Sequence, residues 1–78
     1  MTQATVALST LTPGAEGRVI EIGKTNPLRR RLLELGFVRG ALVRVVRRAP
    51  LGDPIEVAIG GARVALRAED LRDVWVSA

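Results

Sequence analysis

The chain has 78 residues, 47% of them hydrophobic, with a net charge of +4 and neither cysteine nor histidine. That excludes disulfide staples, thiolate zinc and iron–sulfur centres, cysteine nucleophiles and histidine general bases. So short a chain has room for one compact core and little for a buried cleft, so a binding module is expected rather than an enzyme, with no cofactor.

In chain order, Leu8 to Gly14 reads as a short helical or 3₁₀ turn ended by Pro13-Gly14. Arg18 to Ile22 reads as a strand. Asn26-Pro27 then predicts a helix start, because Asn accepts a hydrogen bond from a first-turn N–H and Pro fits the first helical position. The helix is expected over about residues 27–35, with Gly36 supplying the left-handed stop. Leu28, Leu32 and Leu35 form its core-facing stripe, and Leu33 falls about 100° away from that stripe.

Three strands follow. Leu42 to Arg48 is the first. Ile55 to Ile59 puts Ile55, Val57 and Ile59 on one face, and Arg63 to Arg67 turns Val64 and Leu66 inward. Gly60-Gly61 is a two-residue hairpin signal, and residues 49–54 make a longer loop with two prolines and a glycine. Ala68 to Leu71 predicts one helical turn, and Val74 to Val76 a last short strand. The expected fold is mainly β: a small SH3-like barrel of about five antiparallel strands with one inserted helix, forming a single domain over residues 1–78. The N-terminal ten residues lack the basic and apolar regions of a signal peptide, and no window is apolar enough to span a membrane. A cytoplasmic location is expected.

With those elements placed, the chain resembles the ferrous iron transport protein A (FeoA) family from Leu8 to Val76. The likeness rests on Leu11-Thr12-Pro13-Gly14 with Gly17-Arg18-Val19, on Leu32-Leu33-Glu34-Leu35-Gly36-Phe37-Val38-Arg39-Gly40, and on Arg47-Arg48-Ala49-Pro50-Leu51-Gly52-Asp53-Pro54 with Ile55-Glu56-Val57 and Ala65-Leu66-Arg67. The resemblance implies an SH3-like barrel that assists FeoB, the membrane ferrous iron transporter, by contacting its cytoplasmic GTP-binding domain. It also implies kinship with the C-terminal barrels of iron-dependent repressors. No winged-helix or dimerisation segment precedes the barrel in this sequence, which favours the transport accessory over a repressor fragment. A metal-responsive regulatory domain and a small RNA-binding barrel stand as alternatives.

The residues offer a contact surface. Arg29-Arg30-Arg31 lies in the first helical turn, where positive charge opposes the helix dipole, and Glu34 is placed to pair with Arg30. The plain reading is a solvated run; the functional one is an arginine face for carboxylates or phosphates. Leu33 and Leu51 are the apolar candidates for exposure, with Leu51 at a loop tip between Pro50 and Gly52. The expected partner-binding set is Leu33, Leu51, Arg29, Arg30, Arg47 and Arg48. Trp75 is expected to pack under a loop as satellite core.

Gly23-Lys24-Thr25 imitates a phosphate-binding loop, but five residues separate Gly17 from Gly23 instead of four, and they spell a strand. No nucleotide hydrolysis is expected. Glu69, Asp70 and Asp73 cluster, yet oxygen ligands alone suit hard ions, and the acidic pair fits the start of a helical turn; no metal site is expected. Arg44, Arg47, Arg48, Arg63 and Arg67 could track phosphates, but the strands lack aromatic platforms for bases, so no nucleic-acid partner is expected. An exposed patch would also permit self-association. Any membrane association would run through the transporter.

Overall fold

A computed structural model describes residues 4–78. Residues 1–3, part of the stretch inspected for a signal peptide, lie outside them. Six strands form one antiparallel sheet: β1 (Thr5–Ala7), β2 (Glu16–Ile22), β3 (Leu42–Arg48), β4 (Ile55–Ile59), β5 (Ala62–Leu66) and β6 (Val74–Ser77), ordered β1-β6-β2-β3-β4-β5. The helix α1 (Arg29–Leu35) lies between β2 and β3, and 3₁₀ turns occupy Leu8–Thr10 and Ala68–Leu71.

The sheet is one strand larger than the sequence predicts. Thr5–Ala7 pairs with β6 through Thr5↔Ser77, Val6↔Val76 and Ala7↔Trp75. A three-residue strand is too short to show an alternation of its own, and only its docking on β6 defines it.

Bulges explain how so few residues close around a core. In β2 the register shifts between Val19 and Glu21, and in β3 between Val45 and Arg47. An extra residue reverses the in–out alternation beyond it and bends the strand. Val19 and Ile22 therefore both face inward although three positions separate them. The curled sheet buries Leu8, Val19, Ile22, Val43, Val45, Ile55, Val57, Ile59, Leu71, Val74 and Val76 together with Leu32 and Phe37.

The β4–β5 hairpin turns on Gly60 and Gly61, both at positive φ (55° and 82°). Consecutive left-handed residues match the twist of the flanking strands, which is why a glycine pair stands there. The connection between β3 and β4 is longer and tied down. The Ala49 N–H donates to the Pro54 carbonyl (3.0 Å), the Gly52 N–H to the Ala49 carbonyl (2.7 Å), and Asp53 Oδ1 accepts from the Ala68 N–H (2.7 Å).

The helix begins two residues later than expected. Asn26 Oδ1 does accept from the Leu28 N–H at 2.8 Å, but Leu28 itself sits at φ −101°, ψ 10°, outside the helical region. The reason is a second engagement of the same side chain. Asn26 is 7% exposed, and its Nδ2 donates to the Asp70 carbonyl (2.8 Å) and to Asp73 Oδ1 (2.7 Å). The Gly23 N–H donates to the Asp73 carbonyl at 2.8 Å. Asn26 is thus less a cap than a latch between the entry to α1 and the approach to β6. At the other end Gly36 adopts φ 111°, and its N–H closes the last turn onto the Leu33 carbonyl (3.1 Å). The chain then drops Phe37 into the core.

Candidate interaction surface

The core takes Leu32 of α1 completely and, in part, Leu35 and the Leu28 that precedes the helix, which leaves Leu33 outward at 36% exposure. Arg29 and Arg30 are exposed on the same helix. They stand four and three residues before Leu33, so the three side chains share one face. The pair expected between Arg30 and Glu34 does not form: among the described residues, no ion pair within 4.0 Å involves α1. Its first turn holds no acidic residue. The helix therefore presents one leucine flanked by uncompensated guanidinium groups, a charged rim around an apolar point.

Leu51 is 98% exposed at the tip of the β3–β4 connection. The hydrogen bonds at Ala49, Gly52 and Asp53 hold that loop, so the side chain is displayed on a fixed support. The structure does not bring Leu51 and Leu33 into one patch. The end of α1 lies over Ile59, since a Cβ at Gly36 would meet Ile59 Cγ1 at 3.9 Å. The ladder runs from Val43↔Ile59 to Arg48↔Ile55, and the Leu51 loop follows the far end. Helix end and loop tip thus belong to opposite ends of one hairpin.

The two β3 arginines part company. Arg47 is exposed and reaches Glu56 at 3.9 Å, and Glu56 also meets Arg63 at 3.6 Å. Such exposed pairs hold little energy and leave the charges available. Arg48 departs from the expected contact set. It is half-buried, and its Nη2 donates to the Ser9 carbonyl and, at 3.2 Å, to the Leu11 carbonyl. Through Nη2 its guanidinium ties the end of β3 to the first 3₁₀ turn and the residue after it.

Trp75 also departs from expectation. It lies on the outer face of β6 between Ala7 and Glu21, 37% exposed. Val74 and Val76 take the inward positions, and a period-two strand then has only the outside for the residue between them.

Two exposed apolar side chains escaped the sequence reading. Val38 follows the helix stop, and Leu42 opens β3 on the outer face, opposite Arg18. Strict alternation around Val43 and Val45 was the signal for Leu42; Val38 offered none. Leu42 lines a shallow, open depression of about 280 Å³ with Glu16, Arg44, Ala58, Ile59, Gly60 and Gly61. Ile59, which meets the end of α1, forms part of its floor.

The look-alike phosphate loop is strand: residues 17–22 belong to β2. Asp73 is engaged with Asn26, and among the described residues no three acidic side chains converge as a metal set. No helix among them is long and apolar enough to cross a membrane.

Comparisons with known proteins agree with this architecture. The family model of the FeoA domain matches residues 6–78. The chain is 38% identical over 69 residues to a Fe(2+) transport protein A/Fe(2+) transporter FeoB fusion protein of Porphyromonas gingivalis, a match that covers 88% of this chain and 8% of that protein. It thus spans a small fraction of that relative's length. The crystal structure of Stenotrophomonas maltophilia FeoA, complexed with zinc and described as a procaryotic SH3 domain protein, superposes with TM-score 0.81 at 36% identity, covering 92% of this chain and 89% of that one. A manganese-dependent transcriptional repressor complexed with manganese superposes with TM-score 0.86 at 27% identity, covering all of this chain and 38% of that one. An SH3-like sheet of this order, matched by the family model along nearly its whole length, makes this chain a member of the FeoA family.

Proposed function

We propose that this chain is a non-catalytic accessory of ferrous iron transport that docks on the cytoplasmic GTP-binding domain of FeoB. The observation that carries the reading is the Porphyromonas gingivalis relative, in which a homologous segment and the transporter are one polypeptide. Covalent linkage keeps two modules at high effective concentration and is compatible with docking between them. The surface assigned to docking is the α1 face of Leu33 with Arg29 and Arg30. Leu51 with Arg47 forms a second contact point at the other end of the β3–β4 hairpin. An apolar anchor within a basic rim suits an acidic partner surface with an apolar pocket, and the reading places the protein in the cytoplasm on that partner.

Leu33→Asp and Leu51→Asp, made separately, test this. Leu51 is 98% exposed, so Leu51→Asp should fold within about 0.5 kcal/mol of the parent. Leu33 is 36% exposed in the last turn of α1, so Leu33→Asp should cost about 1 kcal/mol or more, and its fold is checked by circular dichroism before retention is compared. Leu33→Asp is expected to weaken retention by the immobilised FeoB cytoplasmic domain by about tenfold or more, as burying a carboxylate at an interface anchor would. Leu51→Asp should weaken it less. Retention of both variants equal to the parent's would remove this surface from the account.

A further inference from the structure

The strand order leaves β5 at an edge of the sheet, with β4 on one side and, among the described residues, no strand on the other. Its hairpin register shows which backbone groups remain. In a two-residue hairpin the pair closing the turn exchanges both hydrogen bonds, and bonded pairs then recur at every second residue. Ile59↔Ala62, Val57↔Val64 and Ile55↔Leu66 are therefore the bonded pairs. Arg63 and Ala65 turn their N–H and C=O groups away from β4, and no backbone partner meets them there among the described residues.

The edge is open as well as unpaired: Ala62, Arg63 and Ala65 are all exposed, and at Ala65 a single methyl shields the chain. Its side-chain pattern is regular. Arg63, Ala65 and Arg67 fall on the outer face, with Arg67 still extended at φ −71°, ψ 142°, while half-buried Val64 and buried Leu66 face the core. Arg63 and Arg67 thus flank a small residue beside the unpaired backbone groups, each held only in one loose surface ion pair, with Glu56 at 3.6 Å and Glu69 at 3.7 Å, which an incoming carboxylate can displace.

From this arrangement we infer that β5 accepts an extended acidic segment of a partner polypeptide as an additional strand. The main-chain bonds would come from Arg63 and Ala65. Carboxylates four residues apart on the incoming strand would lie against Arg63 and Arg67, and the apolar residues between them would cover Val64. Charge argues against a second copy as the occupant. Antiparallel pairing of two β5 edges about Ala65 sets Arg63 of each copy opposite Arg67 of the other, and like charges directly opposite are unfavourable. This surface contains neither Leu33 nor Leu51, so its test and that of the docking face fail independently.

The probe is a capped peptide with the core Glu-Val-Ser-Val-Glu, compared with Lys-Val-Ser-Val-Lys, each titrated to millimolar concentration into the ¹⁵N-labelled chain with amide exchange as the readout. In the free protein the Arg63 and Ala65 amides should exchange rapidly beside protected Val64 and Leu66. The acidic peptide should slow both by at least about tenfold, while the lysine peptide leaves them unchanged. Ala65→Pro removes an outward N–H without touching the β4 ladder and should abolish the protection. Arg63→Glu should shift the preference towards the lysine peptide. Arg63 and Ala65 amides that stay fast at saturating peptide, or equal protection by both peptides, would overturn the inference. So would protection that rises with protein concentration alone, which would assign the edge to a second copy.

Discussion

Replacing Phe37 by alanine is expected to destabilise the fold by about 3–5 kcal/mol, the usual range for deleting a buried aromatic ring. Phe37 is the only phenylalanine in the chain, and it is 1% exposed in the common core. It follows Gly36 directly, so the left-handed stop of α1 aims the ring inward. At roughly 0.05–0.15 kcal/mol per residue, a chain of this length holds only about 4–12 kcal/mol in total, so the loss takes a large share of the whole. Urea unfolding followed by circular dichroism should show a much lower midpoint with an unchanged slope. Phe37→Leu, which keeps most of the volume, should lose less than about 1.5 kcal/mol. Equal stability of Phe37→Ala and the parent would mean that the ring does not fill the core as described.

Asn26→Leu should cost about 3 kcal/mol despite its similar size. The substitution strips the Leu28 N–H of its acceptor, and the Asp70 carbonyl and Asp73 Oδ1 of their donor, in a place where Asn26 is the one buried polar residue among those described. Loss of a cap is worth about 1 kcal/mol, and leaving buried polar atoms unpaired adds about 1–3. For a domain of this size that corresponds to a fall in Tm of roughly 12–24 °C. Asn26→Ser, which restores the acceptor for Leu28 but cannot span to Asp73, should fall between the two. A Tm within a few degrees of the parent's for Asn26→Leu would show that the latch carries no weight.

These two positions also mark how far the sequence alone could reach. Strands whose side chains alternate, such as Ile55–Ile59, and turns with a demanding backbone, such as Gly36 and Gly60-Gly61, declare themselves locally because each needs a particular residue type. Asn26 was legible as the start of a helix, but its contacts with Asp70 and Asp73 bridge more than forty residues and have no local signature. Thr5–Ala7 becomes a strand only by docking on β6. The size of its indole argues for burying Trp75, but the alternation with inward Val74 and Val76 decides its place on the outer face. At the candidate surface, the helical period marked Leu33 and the Pro50–Gly52 setting marked Leu51. That Arg48 would donate to Ser9 and Leu11 depended on bringing residues nearly forty positions apart together. The separation of Leu33 from Leu51 likewise followed only from the register of β3 with β4.

Recognition is the role proposed for this barrel, whose small, well-satisfied core holds guanidinium groups and isolated leucines outward. The most direct test is a chemical-shift map of the ¹⁵N-labelled chain titrated with the FeoB cytoplasmic domain. The largest changes are expected along Arg29–Leu33 and through Val38, with a second group at Leu51 and Gly52 and little at the buried amides of β6. A spectrum unmoved at saturating partner, or changes that avoid both α1 and the Leu51 loop, would contradict it.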